Sequence, residues 1–465
     1  WTRSYDQTSR TVSAHKRFGT KRYDTSDFWP DKPGVEKAQS FVIRNGGNMF
    51  LSTRINDALA QMLIARGNSA VDWQAYSPCI YYLNGQYMGI GDLRERSNED
   101  YVASNYTDDA GDELEDIDMI ENWDEVKAGS MDALDEFQQW YNRPDVTLDG
   151  LRERMDVDNF IDQLIIHWFG GNRDFFNNNI VCWRPTAEGG RWRWLLKDID
   201  LFANTLDLDM SQKTDYYDYA ETMYEANPAR HRLFRLFYAE LPEARDLFID
   251  RMLVCMGDML QPASVKSLVE ELVDEIINEY PRHLSRYFTP ERAARLMDAD
   301  YIGAFPGGTR FMANDWAVSR SVRMYSMLQS RYDLGDRVYM KVNRGDCTAP
   351  VTLQGYTLTQ PRFSGQWFSG REIRLAVGPG YGIQVFGDGK FINEYAGSLA
   401  MMPPAGVNSL DFYIVSKASS GVESIEADAD APAEYYTLQG VRVQNPEPGL
   451  YIRRQGTTTT KVRIR

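Results

Sequence analysis

An α+β fold is predicted for this 465-residue chain by three features read along it. The first hundred residues carry a β-hairpin signal. A later block repeats apolar residues at helical spacing between prolines, and the segments after position 338 alternate apolar and polar residues. The hairpin signal is Asn84-Gly85, set between the apolar runs Cys79 to Leu83 and Tyr87 to Ile90. Asn-Gly supplies the positive φ angles that a two-residue turn requires.

Taken in order, Ser40 to Arg44 reads as a short strand ending on the turn Asn45-Gly46-Gly47, and Asn56 to Ala65 has helical periodicity. The acidic stretch Asp108, Asp109, Asp112, Glu113, Glu115, Asp116 and Asp118 lacks the spacing of a calcium loop and is expected to be a solvated insert. From Asp156 to Phe169 apolar residues recur on one face (Phe160, Leu164, Ile165, Trp168), with Asp156 placed as N-cap and Gly170-Gly171 as the stop. After a central loop and strand pair, residues 228–332 form a helical block punctuated by Pro228, Pro242, Pro262, Pro281, Pro290 and Pro306. VTLQGYTLTQ, REIRLAVGPGYGIQVF and SLDFYIVS then alternate as strands of a small β-sandwich, with the turn Asp388-Gly389 among them. The expected boundaries are 1–335 (β-rich to about 105, helical from about 150), 336–417 for the sandwich, and 418–465 for a linker and a short β module.

A formal net charge of -16 disfavours nucleic acid as a partner, since most of the surface would repel phosphates. The basic end from Arg453 to Arg465 is expected to be a solvated tail. No apolar stretch reaches the roughly 18 residues that a membrane span needs. Cys79, Cys182, Cys255 and Cys347 lie far apart with no C-x-x-C spacing, and His15, His167, His231 and His283 show no metal spacing. The chain begins at Trp1 without Met, so a leader is expected to have been removed.

Functional residue types are densest from Gly170 to Asp200. Within Asn172-Arg173-Asp174, the Asp stands five residues before Asn179, the spacing of the catalytic loop H-R-D-x-x-x-x-N with Asn172 at the His position. Asp198 and Asp200 follow the apolar strand Trp192-Arg193-Trp194-Leu195-Leu196. Phosphoryl transfer needs a divalent cation held by hard oxygen ligands and one carboxylate at the attacking hydroxyl, which Asp174, Asn179, Asp198 and Asp200 could supply. The loop alone reads equally as a turn rich in Asn and Asp. The strand ending in Asp-Ile-Asp brings the two readings level.

YYLNGQYMGIGDLRERSNEDYV resembles the hairpin block of the CotH (spore coat) kinase family, N-G-x-y-x-G-h-Y-x-h-x-E. GNRDFFNNNIVCWR and RWRWLLKDIDLF look like that family's G-N-x-D-x-x-x-N-N and W-x-x-x-x-x-D-h-D blocks, and SFVIRNGGNM is similar to its L-R-N-x-G-x-D strand. The resemblance implies an atypical protein-kinase-like fold with a helical C-lobe that binds ATP with Mg or Mn. The implied reaction phosphorylates Ser or Thr on a secreted or surface protein. It makes Asp174 the catalytic Asp, with Asn179 and Asp198 as metal ligands and Asp200 as an alternative ligand. Trp192 matches an adenine-packing aromatic, with a core Trp as the equal alternative, and Glu95 matches the hairpin Glu. The C-terminal Y-x-L-x-G-x-R-V and G-h-Y-h pattern looks like modules on exported Bacteroidetes proteins, which implies the cell envelope or the exterior.

The chain departs from the family pattern at three places. Gly91 stands where the hairpin block has Tyr, Met49 where the strand block has Asp, and Gln7-Thr8-Ser9-Arg10 where relatives carry Lys before Ser. A phosphate-contacting cation would then come from Arg10, Lys16 or Arg44. These changes keep open a second reading, a pseudokinase acting as a surface or assembly protein. A metal-dependent hydrolase lacks a His or Cys ligand set to support it.

Overall fold

The computed structural model describes residues 5–106, 116–207, 215–417, 434–437, 440–455 and 458–464. The chain opens with β1 (Arg10–Ser13), the short pair β2 (Tyr23–Asp24) and β3 (Lys37–Ala38), and β4 (Ser40–Arg44). Helix α1 (Asn56–Arg66) and the hairpin β5 (Tyr76–Leu83) and β6 (Gln86–Glu95) follow, and the four longer-range strands form a sheet in the order β1-β4-β6-β5. Asn84 (φ 50°) and Gly85 (φ 77°) close the hairpin as read. Helix α1 has no polar face, and Asn56, Asp57 and Gln61 are as buried as its leucines, as expected for a helix enclosed on all sides.

Helix α2 (Glu99–Tyr106) leads to β7 (Ile117–Glu121) and β8 (Glu125–Ala128). The strands β9 (Ile180–Pro185) and β10 (Arg193–Leu196) complete a second sheet with them, in the order β10-β9-β7-β8. Asp118 is a correction to the solvated-insert reading: it lies buried in β7 and accepts hydrogen bonds from the Ser130 N–H and Arg184. The acidic residues from Asp108 to Glu115 lie outside the described residues.

The helices α3 (Asp132–Tyr141), α4 (Leu148–Arg154) and α5 (Val157–Gly170) precede β9. Asp156 caps α5 by accepting the Asn159 N–H, and Gly171 at φ 62° ends it. The sequence placed this helix, its cap and its stop. The later helices are α6 (Tyr216–Ala226), α7 (Pro228–Arg235), α8 (Pro242–Gly257), α9 (Pro262–Ile276), α10 (Tyr280–Tyr287), α11 (Pro290–Leu296), α12 (Phe305–Phe311) and α13 (Ala317–Arg331). Each of the six punctuating prolines sits in the first turn of one of them, where its missing N–H has no intrahelical partner to lose.

A five-stranded sheet in the order β14-β11-β19-β16-β17 and a four-stranded sheet in the order β13-β12-β15-β18 follow. Their strands are β11 (Arg337–Asn343), β12 (Val351–Leu353), β13 (Tyr356–Thr357), β14 (Arg362–Phe368), β15 (Ile373–Val377), β16 (Tyr381–Gly387), β17 (Lys390–Tyr395), β18 (Ser398–Met401) and β19 (Ser409–Ser416). Val338, Met340 and Val342 turn inward while Tyr339 and Lys341 face out, which is the alternation read in the sequence. Phe363 of β14 packs against Gly257 at the end of α8.

The last strands, β20 (Glu434–Tyr436), β21 (Arg442–Val443), β22 (Gly449–Gln455) and β23 (Thr458–Ile464), form one more sheet. Arg453 is buried in it while Arg454, Lys461 and Arg463 are exposed, so the basic end is a solvated strand pair and not a free tail. The expected linker at 418–433 lies outside the described residues. All four cysteines are free. No helix among the described residues is long and apolar enough to cross a membrane.

Candidate active site

Two loops and one strand end converge on a group of carboxylates. The first loop, 171–179, leaves α5 through the left-handed Gly171. The Asn172 side-chain oxygen accepts the Asp174 N–H at 3.0 Å and tightens the turn. Asn178 and Asn179 each donate to one Asp174 oxygen, at 2.8 and 2.9 Å. The Asn179 amide also donates to the Asp198 carbonyl at 3.2 Å, which ties this loop to the second one, 197–203. Asn179 (φ 57°) and Asp198 (φ 48°) are left-handed, a conformation that Asn and Asp tolerate better than other side chains. Phe176 (φ 72°) is not such a residue. Its carbonyl accepts from the Trp123 indole at 2.5 Å and faces a His231 ring nitrogen at 3.2 Å, so the fold holds it there.

Arg44, at the end of β4, bonds Asp198 and also reaches Asp200 at 3.0 Å. Asp200 is almost wholly enclosed, and its oxygens accept from the Asn48 N–H at 2.6 Å and the Asn48 amide at 3.1 Å. Burial pushes the Asp200 carboxyl up to about 7, against the pull of Arg44 and with the Asp198 charge adding to the rise. Between the two Asp residues, the Ile199 N–H donates to Asp57 of α1 at 2.9 Å. Burial opposes ionisation of Asp57, but Arg94 and Arg44 outweigh it and hold that carboxyl below its ordinary range.

Asp174, Asn179, Asp198, Asp200 and Arg44 are therefore brought together. Trp192, Glu95 and Arg10 are not. Trp192 is 2% exposed, with its ring against Phe137 and Arg184. Glu95 is locked to Lys32 at 2.6 Å and accepts the Ala75 N–H. Arg10 and Glu95 stand opposite Ile43 and Phe41 in register, which places them on the sheet face turned away from Arg44. Met49 is buried and accepts contacts from Ser52. At Gly91 a side chain would run into Ile43 and then Tyr81, so a neighbouring ring already fills that side of the sheet.

Asn48, Asp57 and His167 complete the site and were missed in the sequence. Asn48 lies inside the SFVIRNGGNM block, and Asp57 is the one acid of helix α1. Either position could have signalled a buried anchor.

The donor set suits a hard divalent cation shared with phosphates. Asp198 has a partly exposed carboxylate, and the Asn179 amide nitrogen points to Asp174 and the Asp198 carbonyl, leaving its oxygen for an ion. Among the described residues no group of three or more His, Cys, Asp or Glu forms a self-contained metal cage. A cation here would draw its remaining ligands from phosphate and water.

The family described as CotH kinase protein matches residues 1–305, and the chain belongs to that family. None of the curated proteins searched matches it.

Proposed function

We propose that this protein is an exported, CotH-type atypical Ser/Thr protein kinase that transfers phosphate from ATP, with Mg or Mn, to a secreted or cell-surface protein. The observation that carries this reading is the Asn179 amide bonded at once to the Asp174 carboxylate and the Asp198 backbone, with Arg44 on Asp198 from the opposite sheet. Asp174 accepts the proton of the acceptor hydroxyl. Asp198 and Asn179 would hold the cation, which would neutralise charge on the phosphates. Arg44 presents a fixed guanidinium to a phosphate oxygen, and Asp200, committed to Asn48, keeps that guanidinium in place. The two-sheet region reads as a β-sandwich, and it and the last strands are the parts suited to display or sorting outside the cell.

The test is a thermal-shift titration with ATP and Mg or Mn. Nucleotide at about a hundred times its Kd should stabilise the wild type by roughly 2.7 kcal/mol. Asp198→Ala should remove that response, and Asp174→Ala should keep binding but abolish phosphate transfer to a Ser-containing acceptor. No shift with either metal at millimolar ATP would end the kinase reading and leave the pseudokinase one.

A further inference from the structure

The five-stranded sheet after position 336 turns one face outward, and that face lacks the plain polar pattern that water alone would favour. Arg362 of β14, Asn343 of β11, Tyr413 of β19, Gln384 of β16 and Glu394 of β17 stand side by side across it in register. Tyr413 is 42% exposed although β19 is the middle strand, and its chain neighbours Phe412 and Ile414 are buried. Its ring meets Phe386 edge-on at 5.4 Å, and Phe386 meets Phe391 at 5.6 Å, with Phe391 57% exposed. An aromatic strip therefore runs from the middle of the sheet to β17.

Beside this strip the start of α9 stands against the sheet and leaves an open groove of about 840 Å³, which shares no residue with the carboxylate site. Ser264, Ser267, Asn343, Arg344, Arg362 and Tyr413 are among the residues that line it. Its walls are tied together, since the Gln261 amide donates to the Arg362 carbonyl at 3.0 Å. In a chain of net charge -16 the lining holds two guanidinium groups and no carboxylate. Arg344 is fixed by one nitrogen, which donates to the Leu358 and Gln360 carbonyls at 3.1 and 3.4 Å without being neutralised. Arg362 is exposed, and neither arginine has an ion-pair partner among the described residues. The acids around the groove are engaged elsewhere. Asp258 accepts the Thr359 and Gln360 N–H groups, Glu394 accepts the Gln384 amide at 2.9 Å, and Asp411 stands opposite Lys341 in register.

The floor of the groove belongs to β11 and β19, whose backbones are already paired on both sides. A peptide cannot add there as a strand, so recognition falls to the side chains. An exposed ring, hydroxyls and amides beside it and two uncompensated guanidiniums match a sugar with an apolar C–H face, hydroxyl groups and a carboxylate. We propose that this groove binds a carboxylated polysaccharide, with sugar rings on Tyr413 and the strip towards Phe391 and carboxylates on Arg362 and Arg344. Two strand spacings, about 10 Å, separate Arg362 from Tyr413, so a chain of sugars spans them where a single one does not.

The test is isothermal titration calorimetry of the full chain with an oligomer of galacturonic acid. It is run without nucleotide or divalent metal, so that it stands or falls apart from the kinase reading. The oligomer should bind, and the same oligomer with its carboxyl groups methyl-esterified should bind about tenfold or more weakly. Arg362→Met should cost a similar factor and leave the melting midpoint unchanged, because the side chain is exposed and unpaired. Tyr413→Ala should weaken binding about fivefold, while Tyr413→Phe keeps the ring and the affinity. Equal binding of the esterified oligomer, or polyglutamate binding as tightly as the sugar, overturns the proposal. So does a wild type that takes up no oligomer, or an Arg362→Met variant that binds like wild type.

Discussion

At the scale of single residues, His167 shows how much of the site rests on a group that touches no substrate. It is fully buried, stacked on Phe175 at 3.7 Å, with its ring nitrogens 3.0 Å from the Asn172 amide and 3.2 Å from the Gln163 amide. Asn172 spends its oxygen on the Asp174 N–H, so its NH2 donates to Nδ1, and turning the Gln163 amide over would bring its otherwise unpartnered oxygen to the proton on Nε2. This chain from Gln163 to Asp174 works only with a neutral imidazole, and burial pulls His167 down to about 3. His283 behaves alike. It accepts the Ile90 N–H at 3.1 Å, and burial with Arg54 nearby lowers it to about 2. Both folded values lie below the ordinary one, so the stability they contribute is complete above about pH 6.5 and is lost as pH falls towards 3. Acid titration of the melting midpoint should therefore show a decline of roughly 1.4 kcal/mol per pH unit for each group in that window. His167→Gln should lower the slope by about one proton, and an unchanged slope would remove His167 from the account. Asp57→Ala should cost about 3–5 kcal/mol in chemical denaturation, because it strands the buried Arg94.

At the scale of elements, the loop after β4 is built to lie against Asp200. Gly47 has φ 60°, and a methyl group there would run into Asp200 and the Arg44 guanidinium. Gly47→Ala should cost only about 1–2 kcal/mol of stability from the backbone while displacing the pair. Nucleotide-dependent stabilisation should then vanish from a protein that still melts cooperatively; retained stabilisation would show that the loop yields. These elements differed in how plainly the sequence announced them. The hairpin at Asn84-Gly85, the capped helix α5 and the proline-led helices were legible because their signals are local. The strands β7 and β8 and the helices α3 and α4 were not read, since β7 joins β9 across about sixty residues and no local motif marks that pairing.

At the scale of the whole molecule, the β-rich region after position 336 is joined to the helices by more than a tether. Arg371 reaches Asp250 of α8 at 2.6 Å, and Arg374 reaches the same residue at 3.2 Å. The Asp258 carboxylate accepts the Thr359 and Gln360 N–H groups, both at 2.9 Å. Removing Asp250 leaves Arg371 its contact with Asp246 and Arg374 that with Glu372, so Asp250→Ala should destabilise by about 1–3 kcal/mol within a single transition. Two separate calorimetric transitions, with only the later residues affected, would show instead that the regions fold apart.

Local chemistry determined what the sequence alone could show: the helices with their caps and prolines, the hairpin turn, the alternating strands, and the Asp174, Asn179 and Asp198 spacing that resembles the family's blocks. Tertiary structure decided which candidates meet. Arg44 reaches the carboxylates because it lies on one face of its sheet, while Arg10 and Glu95 lie on the other and Trp192 is sealed in the core. The physical reason is that a strand alternates its side chains by single residues, so a motif can name a position without naming the neighbours that surround it.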